Sequence, residues 1–290
     1  MNNWPPALRV GLWMSFTAIG FAVMLNTVRH LSDSDMHVMV VTFWRNVFAV
    51  LFFAPLLAGF WSARFGAEHW KLYSLRALVM TVSTVTLFLG AILLPVAEAT
   101  ALSFTAPLFT VIAAILFLKE QVGWRRWAAV IVGFGGVLIM LRPGAEAFDM
   151  GALAVLVAAL TFAAVNIMGK ILVRSDPPAM VTLNLSLYSL PISLVLALPF
   201  WDWPSGNQWL WLIVLGVAAA CNVYGITKAF QAGDASLAQA FDFLRLPTTA
   251  LLALVWFNQF PDLYVWIGTA VITGSSIYIA HRESRMRAKV

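Results

Sequence analysis

The stretch AEATALSFTAPLFTVIAAILFLKE, from Ala97 to Glu120, decides the fold of this chain because a second form of it occurs further on. That looser copy, GDASLAQAFDFLRLPTTALLALVWFNQ, runs from Gly233 to Gln259. A loop with Lys119, Arg125 and Arg126 closes the first copy, whereas the matching loop of the second copy lacks these charges. Lys and Arg stay on the cytoplasmic side of a membrane, so the two copies are expected to cross it in opposite directions.

Composition excludes an ordinary soluble domain. Apolar residues make up 61% of the chain and charged residues 11%, whereas soluble domains average about 45–50% and about 25%. Apolar segments near the ~20 residues that span a bilayer recur along the whole chain. They lie at roughly 8–28, 37–60, 71–93, 96–118, 125–141, 149–170, 179–200, 208–229, 235–257 and 263–281. We therefore predict an all-α polytopic membrane protein with ten transmembrane helices.

Charge distribution orients these helices. With both termini in the cytoplasm, fourteen of the eighteen Lys and Arg residues fall on the inner side, as expected for a multi-pass protein of a bacterial-type inner membrane. These residues are Arg9, Arg64, Lys71, Arg76, Lys119, Arg125, Arg126, Lys170, Arg174, Lys228, Arg282, Arg285, Arg287 and Lys289. Orientation thus accounts for the net charge of +5 without nucleic acid as a partner.

An even number of helices divides into two halves of opposite topology. We predict inverted five-helix repeats at residues 1–145 and 146–290, integrated into one domain. Pro107 and Pro247 lie near the middles of the fourth and ninth predicted helices. Paired helix interruptions of this kind mark the midplane binding site of secondary transporters, so both prolines are candidate hinges. The alternative is an ordinary proline kink, in which neighbouring groups satisfy the freed backbone atoms.

The first copy, continued as QVGWRRWAAVIVGFGGVLIM, resembles the repeat of the EamA family in the drug/metabolite transporter superfamily. GDASLAQAFDFLRLP resembles the partner repeat, and the resemblance covers the whole chain. It implies ten helices in two inverted repeats, a central cavity between them and export of small metabolites. Members often carry an acidic residue where Gln259 stands, so no charge role is carried over to that position.

Polar and aromatic side chains within the predicted helices are candidates for the cavity. Polar groups at this depth are expected to face the bundle interior, and an amide offers both a donor and an acceptor to a substrate. The candidates are Thr81, Thr84, Ser103, Phe104, Asn166, Asn222 and Tyr224. For the hydroxyl residues, close packing of helices is the alternative role.

Three charged residues lie inside predicted helices. Asp242 and Arg245 are three residues apart and share one helix face, so each can neutralise the other. Asp242 is alternatively a site for a proton or a substrate ammonium group, with Arg245 adjusting its charge. Arg45 is expected to pair with Glu98 or with a substrate carboxylate.

These features predict a secondary transporter that exports small organic solutes by alternating access, with neutral or aromatic amino acids as the favoured substrates. We expect no enzyme activity, cofactor or metal. The expected partners are a small-molecule substrate and the lipid bilayer, with a monomeric carrier and no ATPase subunit. One alternative is a proton-coupled exporter of drugs, nucleosides or sugars in which Asp242 titrates. A remote alternative is a membrane-bound acyltransferase, since His30 and Asp35 have the H-x4-D spacing that pairs a base with an orienting carboxylate.

Overall fold

The computed structural model describes residues 4–32, 34–60, 68–93, 102–120, 123–141, 150–245, 247–249 and 251–252, with scattered positions between 263 and 278. Nine α-helices have defined bounds in these ranges, further helical positions follow from 245 onwards, and no described residue belongs to a strand. They are α1 (Pro6–Ser32), α2 (Val38–Phe60), α3 (Trp70–Leu93), α4 (Ala106–Leu118), α5 (Trp124–Leu141), α6 (Met150–Leu172), α7 (Pro178–Ala197), α8 (Gln208–Ala232) and α9 (Ala235–Asp242). A 3₁₀ turn at Leu198–Phe200 extends α7.

The all-α membrane fold predicted from composition is confirmed. Within the described residues, five helical spans are long and apolar enough to cross a bilayer: Pro6–Val28, Trp70–Gly90, Met150–Leu172, Pro178–Phe200 and Gln208–Ala232. The described positions of the tenth predicted segment, 263–264, 266–268, 270–271, 274 and 278, are helical. Two residues considered in the sequence analysis, Glu98 and Gln259, lie outside the described residues.

Two of the predicted segments, the fourth and the ninth, are interrupted rather than continuous. Leu102 and Ser103 are helical, Phe104 and Thr105 form a turn, and α4 begins at Ala106. In the second half α9 ends at Asp242, Phe243 and Leu244 form a turn, and helix resumes at Arg245. Proline favours the first turn of a helix because its missing N–H has no intrahelical acceptor there, so Pro107 begins α4 instead of kinking it.

The two interruptions occupy equivalent positions. A shift of 139 residues places Phe104 on Phe243, and the two rings stack with centroids 5.7 Å apart and planes 17° apart. Equivalent side chains that touch each other lie next to the axis that relates the halves. The shift of 139 residues also makes α1 equivalent to α6 and α3 equivalent to α8. The contact of α1 with α8 therefore corresponds to the contact of α6 with α3, and these are the two most extensive helix pairings among the described residues.

Hydrogen bonds repeat this symmetry. Ser83 Oγ of α3 donates to the Ala158 carbonyl of α6 at 3.0 Å. Its 139-shift equivalent, Asn222 of α8, donates from Nδ2 to the Thr17 carbonyl of α1 at 3.0 Å. Each half thus uses the same helix position to bond the first helix of the other half.

Several inward-facing polar groups hold helices together. Arg76, expected at the inner end of a helix, is only 2% exposed. It donates from Nε to the Val165 carbonyl and from Nη1 to the Val181 carbonyl, both at 3.2 Å. Because carbonyl oxygens of α6 and α7 receive the guanidinium, α3 is fixed against both helices. Tyr73, one turn earlier, donates its hydroxyl to Asp176 Oδ2 at 2.5 Å.

The corner between α8 and α9 is held by two side chains from other parts of the chain. Lys170 of α6 donates from Nζ to the carbonyls of Phe230, at 2.6 Å, and Gly233. The Glu120 carboxylate accepts the N–H of Ala235 at 3.0 Å, at the first residue of α9. A cation at a helix C-terminus and an anion at an N-terminus both oppose the backbone dipoles, so both contacts stabilise the corner.

Glycines let α8 approach two neighbours closely. A Cβ at Gly20 would lie 2.9 Å from the backbone N of Asn222, and a Cβ at Gly216 would lie 2.3 Å from Cβ of Phe48. Small residues at helix contacts permit this approach in membrane proteins. A Cβ at Gly135, by contrast, would have no described atom within 4 Å.

We predict that Gly20→Ala and Gly216→Ala each destabilise the protein by about 1–3 kcal/mol, because an added methyl group would overlap a neighbouring helix. Gly135→Ala is the control, and alanine there should be neutral or stabilise the helix by up to about 1 kcal/mol. Thermal unfolding of the detergent-solubilised variants measures the difference. Equal melting temperatures for all three variants would contradict the close approach.

Candidate functional site

A small cavity of about 40 Å³ lies at the middle of the bundle, where both interrupted helices meet. Its walls come from α1, α3, the start of α4, α6 and the end of α9. The described lining residues are Phe21, Ser83, Leu87, Ser103, Phe104, Ala106, Ala158, Ala159, Phe162, Asp242 and Arg245. This volume has room for only a few water molecules, so a substrate enters only when the cavity widens. The mixture of apolar walls with a few polar groups is typical of small-molecule sites.

An ion pair occupies one wall of the cavity. Nε of Arg245 lies 2.8 Å from Oδ1 of Asp242, and the two side chains are 6% and 3% exposed. The atoms are close but not aligned as a hydrogen bond, and Nε and Nη2 of Arg245 donate to no described residue. A charge at this depth is costly unless it is compensated. The Asp242 carboxylate compensates the charge of the guanidinium without accepting a hydrogen bond from Nε or Nη2.

Two phenylalanines hold the guanidinium of Arg245 from its sides. Its central carbon lies 4.8 Å from the ring centroid of Phe21 in α1 and 5.5 Å from that of Phe162 in α6. Both distances are within the range of a cation–π interaction, which strengthens where water is excluded. The pair is therefore tied to both halves of the molecule, and the aromatic rings form the apolar walls beside it.

The chemistry of the cavity differs between the halves although its backbone positions are equivalent. The 139-residue shift places Ser103 on Asp242 and Ala106 on Arg245, and all four residues line the cavity. The first half thus contributes small side chains where the second contributes charged ones.

Four of the residues predicted for the site meet in this cavity, namely Ser103, Phe104, Asp242 and Arg245. The two candidate hinges lie just after the turns that border it: Pro107 follows the Phe104–Thr105 turn, and Pro247 follows the Phe243–Leu244 turn. Both prolines are buried.

The other predicted residues lie elsewhere and contact protein groups. Thr81 donates to the Ala77 carbonyl of its own helix at 2.9 Å. Thr84 accepts a hydrogen bond from Nη1 of Arg45 at 3.3 Å, so Arg45 joins α2 to α3. Nε of Arg45 has no partner among the described residues.

The two candidate asparagines also contact protein groups. Asn166 Nδ2 lies 3.5 Å from Thr110 Oγ1, which connects α6 with α4. Asn222 donates to Thr17 and in turn receives the Thr17 hydroxyl at its carbonyl oxygen, at 3.4 Å. Since α8 contributes no described residue to the cavity lining, Asn222 joins helices there.

Tyr224 belongs to a separate aromatic group, although it was expected near the cavity. Its ring centroid lies 5.9 Å from that of Trp13 and 5.7 Å from that of Phe53. Nζ of Lys228 lies 5.8 Å from the Trp13 centroid and 5.7 Å from the Tyr224 centroid. These contacts connect α1, α2 and α8 away from the cavity.

Sequence reasoning missed Phe21 and Phe162 as wall residues. Phenylalanine is abundant in this chain, with 21 copies, so no single one stands out in the pattern. One feature of the sequence could have indicated them. Both lie near the middle of a predicted helix, Phe21 in the first and Phe162 in the sixth, and the repeat makes these two helices equivalent. Within the described residues, no group of three or more His, Cys, Asp and Glu side chains is arranged to hold a metal ion.

Comparison with known proteins assigns the family. The profile described as the EamA-like transporter family matches residues 8–142 and again residues 149–280. The chain belongs to this family. It is therefore a membrane transporter of the drug/metabolite transporter type, as the family resemblance implied.

Curated relatives match over nearly the whole length. A riboflavin transporter of Vibrio cholerae is 33% identical over 285 residues, covering 96% of this chain and 95% of the relative. A riboflavin transporter of Rhizobium johnstonii is 31% identical over 96% of this chain and 93% of the relative. An S-adenosylmethionine uptake transporter of Rickettsia prowazekii is 28% identical over 86% and 85%, respectively. A solved crystal structure with 20% identity has the same fold, with a TM-score of 0.77 over 93% of this chain and 96% of that chain.

We predict that Asn222→Ala lowers the stability of the transporter by about 0.6–2 kcal/mol, because it removes an interhelical hydrogen bond inside the membrane. Ser15→Ala is the control, since the exposed Ser15 hydroxyl bonds only the Gly11 carbonyl of its own helix among the described residues. Thermal unfolding in detergent distinguishes the two variants. An unchanged melting temperature for Asn222→Ala would show that this amide does not join α8 to α1.

Proposed function

We propose that this transporter carries a metabolite in which a planar aromatic ring system is joined to a polar chain. The observation that carries the proposal is an ion pair, Asp242 with Arg245, set into an aromatic-walled cavity at the middle of the bundle. Phe21, Phe104 and Phe162 offer ring faces for stacking, and the pair offers polar contacts. Aromatic pairs contribute about 0.5–1.5 kcal/mol beyond the burial of their area, so such walls favour a ring over an aliphatic chain.

The names of the relatives give two examples of metabolites with this chemistry. Riboflavin and S-adenosylmethionine each join a heteroaromatic ring to a polar chain, and proteins named for both molecules align with most of this chain. The Rickettsia relatives are named as uptake transporters. We therefore propose uptake of a riboflavin-like metabolite, in place of the export expected from the sequence.

Neutral or aromatic amino acids, favoured from the sequence, are the second candidate. The ammonium group of such a substrate could contact Asp242, and its carboxylate could contact Arg245. However, these two residues lie 2.8 Å apart and already neutralise each other, so a zwitterion has to separate them before it binds both. The names of the relatives do not support this substrate either.

We propose that the two five-helix halves, 1–145 and 146–290, move around the cavity by alternating access. The turns at Phe104–Thr105 and Phe243–Leu244 border the cavity in both halves. Interrupted helices at the repeat interface are the places where such transporters hold substrate and change shape. Helix α1 carries no acidic residue from Leu8 to Val28, and Asp242 is compensated by Arg245, so we propose movement down the substrate gradient.

Counterflow in proteoliposomes tests the substrate. Vesicles preloaded with unlabelled riboflavin are expected to accumulate labelled riboflavin, whereas vesicles preloaded with tryptophan are not expected to accumulate labelled tryptophan. S-adenosylmethionine is the second substrate arm. Counterflow of tryptophan without counterflow of riboflavin or S-adenosylmethionine would identify an amino-acid carrier and contradict the proposal.

A matched pair of variants tests the cavity wall. Phe162→Leu is expected to weaken the apparent affinity for riboflavin roughly 2- to 10-fold, because it removes a ring contact worth about 0.5–1.5 kcal/mol. Phe88→Leu is the control, since Phe88 is fully buried but does not line the cavity. Equal affinity losses in the two variants would attribute the effect to packing instead of substrate contact.

A pH gradient tests the energy source. We expect the rate of riboflavin uptake to be the same with and without an imposed gradient, because Asp242 is neutralised by Arg245 and not by a transported proton. Counterflow at equal pH serves as the control for carrier integrity. Acceleration by the gradient that disappears in Asp242→Asn, with counterflow intact, would establish proton coupling through Asp242.

A further inference from the structure

The donors of Arg245 are unusual for a buried arginine. The residue is 5% exposed, yet Nε and Nη2 donate to no described residue. These two nitrogens share one edge of the planar guanidinium group, which is the edge that binds two acceptors side by side. Buried donors without partners are rare in folded proteins and call for an explanation.

The side chain of Arg245 belongs to the wall of the central cavity. The equivalent of Arg245 in the first half is Ala106, and the equivalent of Asp242 is Ser103. All four line the central cavity, and the side chains from the first half are the smaller ones. Nε and Nη2 of Arg245 are covered in this conformation, so a substrate reaches them only when the two halves move and the cavity widens.

The guanidinium is also held in place before any ligand arrives. The ring centroids of Phe21 and Phe162 lie 4.8 Å and 5.5 Å from its central carbon, and Asp242, three residues earlier, compensates its charge. An arginine fixed in this way loses little side-chain entropy when it forms hydrogen bonds, which favours specificity. Arginine has donors only, so its partner has to be an acceptor.

We infer that Arg245 determines the specificity of this transporter by binding oxygen acceptors on the substrate, above all a ring carbonyl beside a ring nitrogen. The inference rests on the proposed function and names the group of the substrate that Arg245 binds. Arginine reads the adjacent O6 and N7 acceptors of guanine with the same kind of fork. The ring system of riboflavin presents a carbonyl oxygen and a ring nitrogen side by side, so it offers the matching edge. Asp242 acts as a positioning residue for Arg245.

Two ligands that differ in one acceptor atom test this inference. Riboflavin and 4-thioriboflavin differ in the carbonyl oxygen beside the ring nitrogen, which the second compound replaces with sulfur, a weaker acceptor. Binding of both ligands to the purified, detergent-solubilised protein is measured by fluorescence quenching or, for a non-fluorescent ligand, by competition. The wild type is expected to bind riboflavin roughly tenfold more tightly, as for a hydrogen bond to a charged donor.

The protein variant completes the cycle. Arg245→Lys keeps the positive charge beside Asp242 but loses the planar fork, so the preference for riboflavin over its thio analogue is expected to disappear. Gln239→Met is the control, because Gln239 is a buried polar residue of the neighbouring helix α9 that does not line the cavity. A double variant, Asp242→Asn with Arg245→Gln, replaces Arg245→Lys if the single variant does not fold, because it leaves no unpaired charge. It too is expected to lose the preference.

The outcomes separate this inference from the proposed function. A preference for the oxygen ligand that persists in Arg245→Lys, or that is missing from the wild type, would overturn the role of Arg245 while riboflavin counterflow still stands. If neither flavin binds, tryptophan and tryptamine, which differ in a carboxylate, provide a second pair for the same cycle. Loss of the carboxylate preference in Arg245→Lys would then support the acceptor role and remove the proposed substrate. Absence of binding by all four compounds would overturn both.

Discussion

Hydrocarbon offers no hydrogen bond to a peptide group, and this constraint organises the whole molecule. Most of the described chain is helical because a helix satisfies its own backbone. The two turns inside helical segments, at Phe104–Thr105 and Phe243–Leu244, are the exceptions. They lie where the halves meet, with Phe104 stacked on Phe243. Irregular backbone at this depth is tolerated when protein or a polar cavity surrounds it, and here it is surrounded by both.

For the same reason, most buried polar side chains form hydrogen bonds that join helices. Arg76 is bonded to carbonyls of α6 and α7, and Asn222 is bonded to α1. Arg45 donates to the Thr84 hydroxyl between α2 and α3. Arg245 differs because its compensating carboxylate leaves two of its donors unused and because it faces a cavity. Burial and charge alone do not separate these residues; the partners of their donor atoms do.

Symmetry and chemistry have separate parts in this transporter. The repeat places equivalent backbone positions around one cavity, since Ser103 and Ala106 stand opposite Asp242 and Arg245. Substitution in one half then fills those positions with different groups. The first half supplies space and the second supplies charge, so a site of definite polarity forms at the centre of a nearly symmetric scaffold. This arrangement explains how a family with one fold includes relatives named for chemically different substrates.

The sequence by itself determined that the chain spans a membrane, where seven of its helices begin and end to within a few residues, and that its fourth and ninth predicted segments correspond, but not that each of these two segments contains a turn. The lengths of the apolar segments and the repeat within the sequence are enough for these predictions. Bilayer thickness and the need for backbone hydrogen bonds constrain each segment separately, without reference to its neighbours. The pairing of Asp242 with Arg245 was also readable, since the two are one helical turn apart. Only the tertiary structure decided that Phe21 and Phe162 flank this pair and that Asn222 and Thr84 do not face the cavity. Which side of a helix meets a neighbour depends on contacts between distant segments, and no local pattern records them.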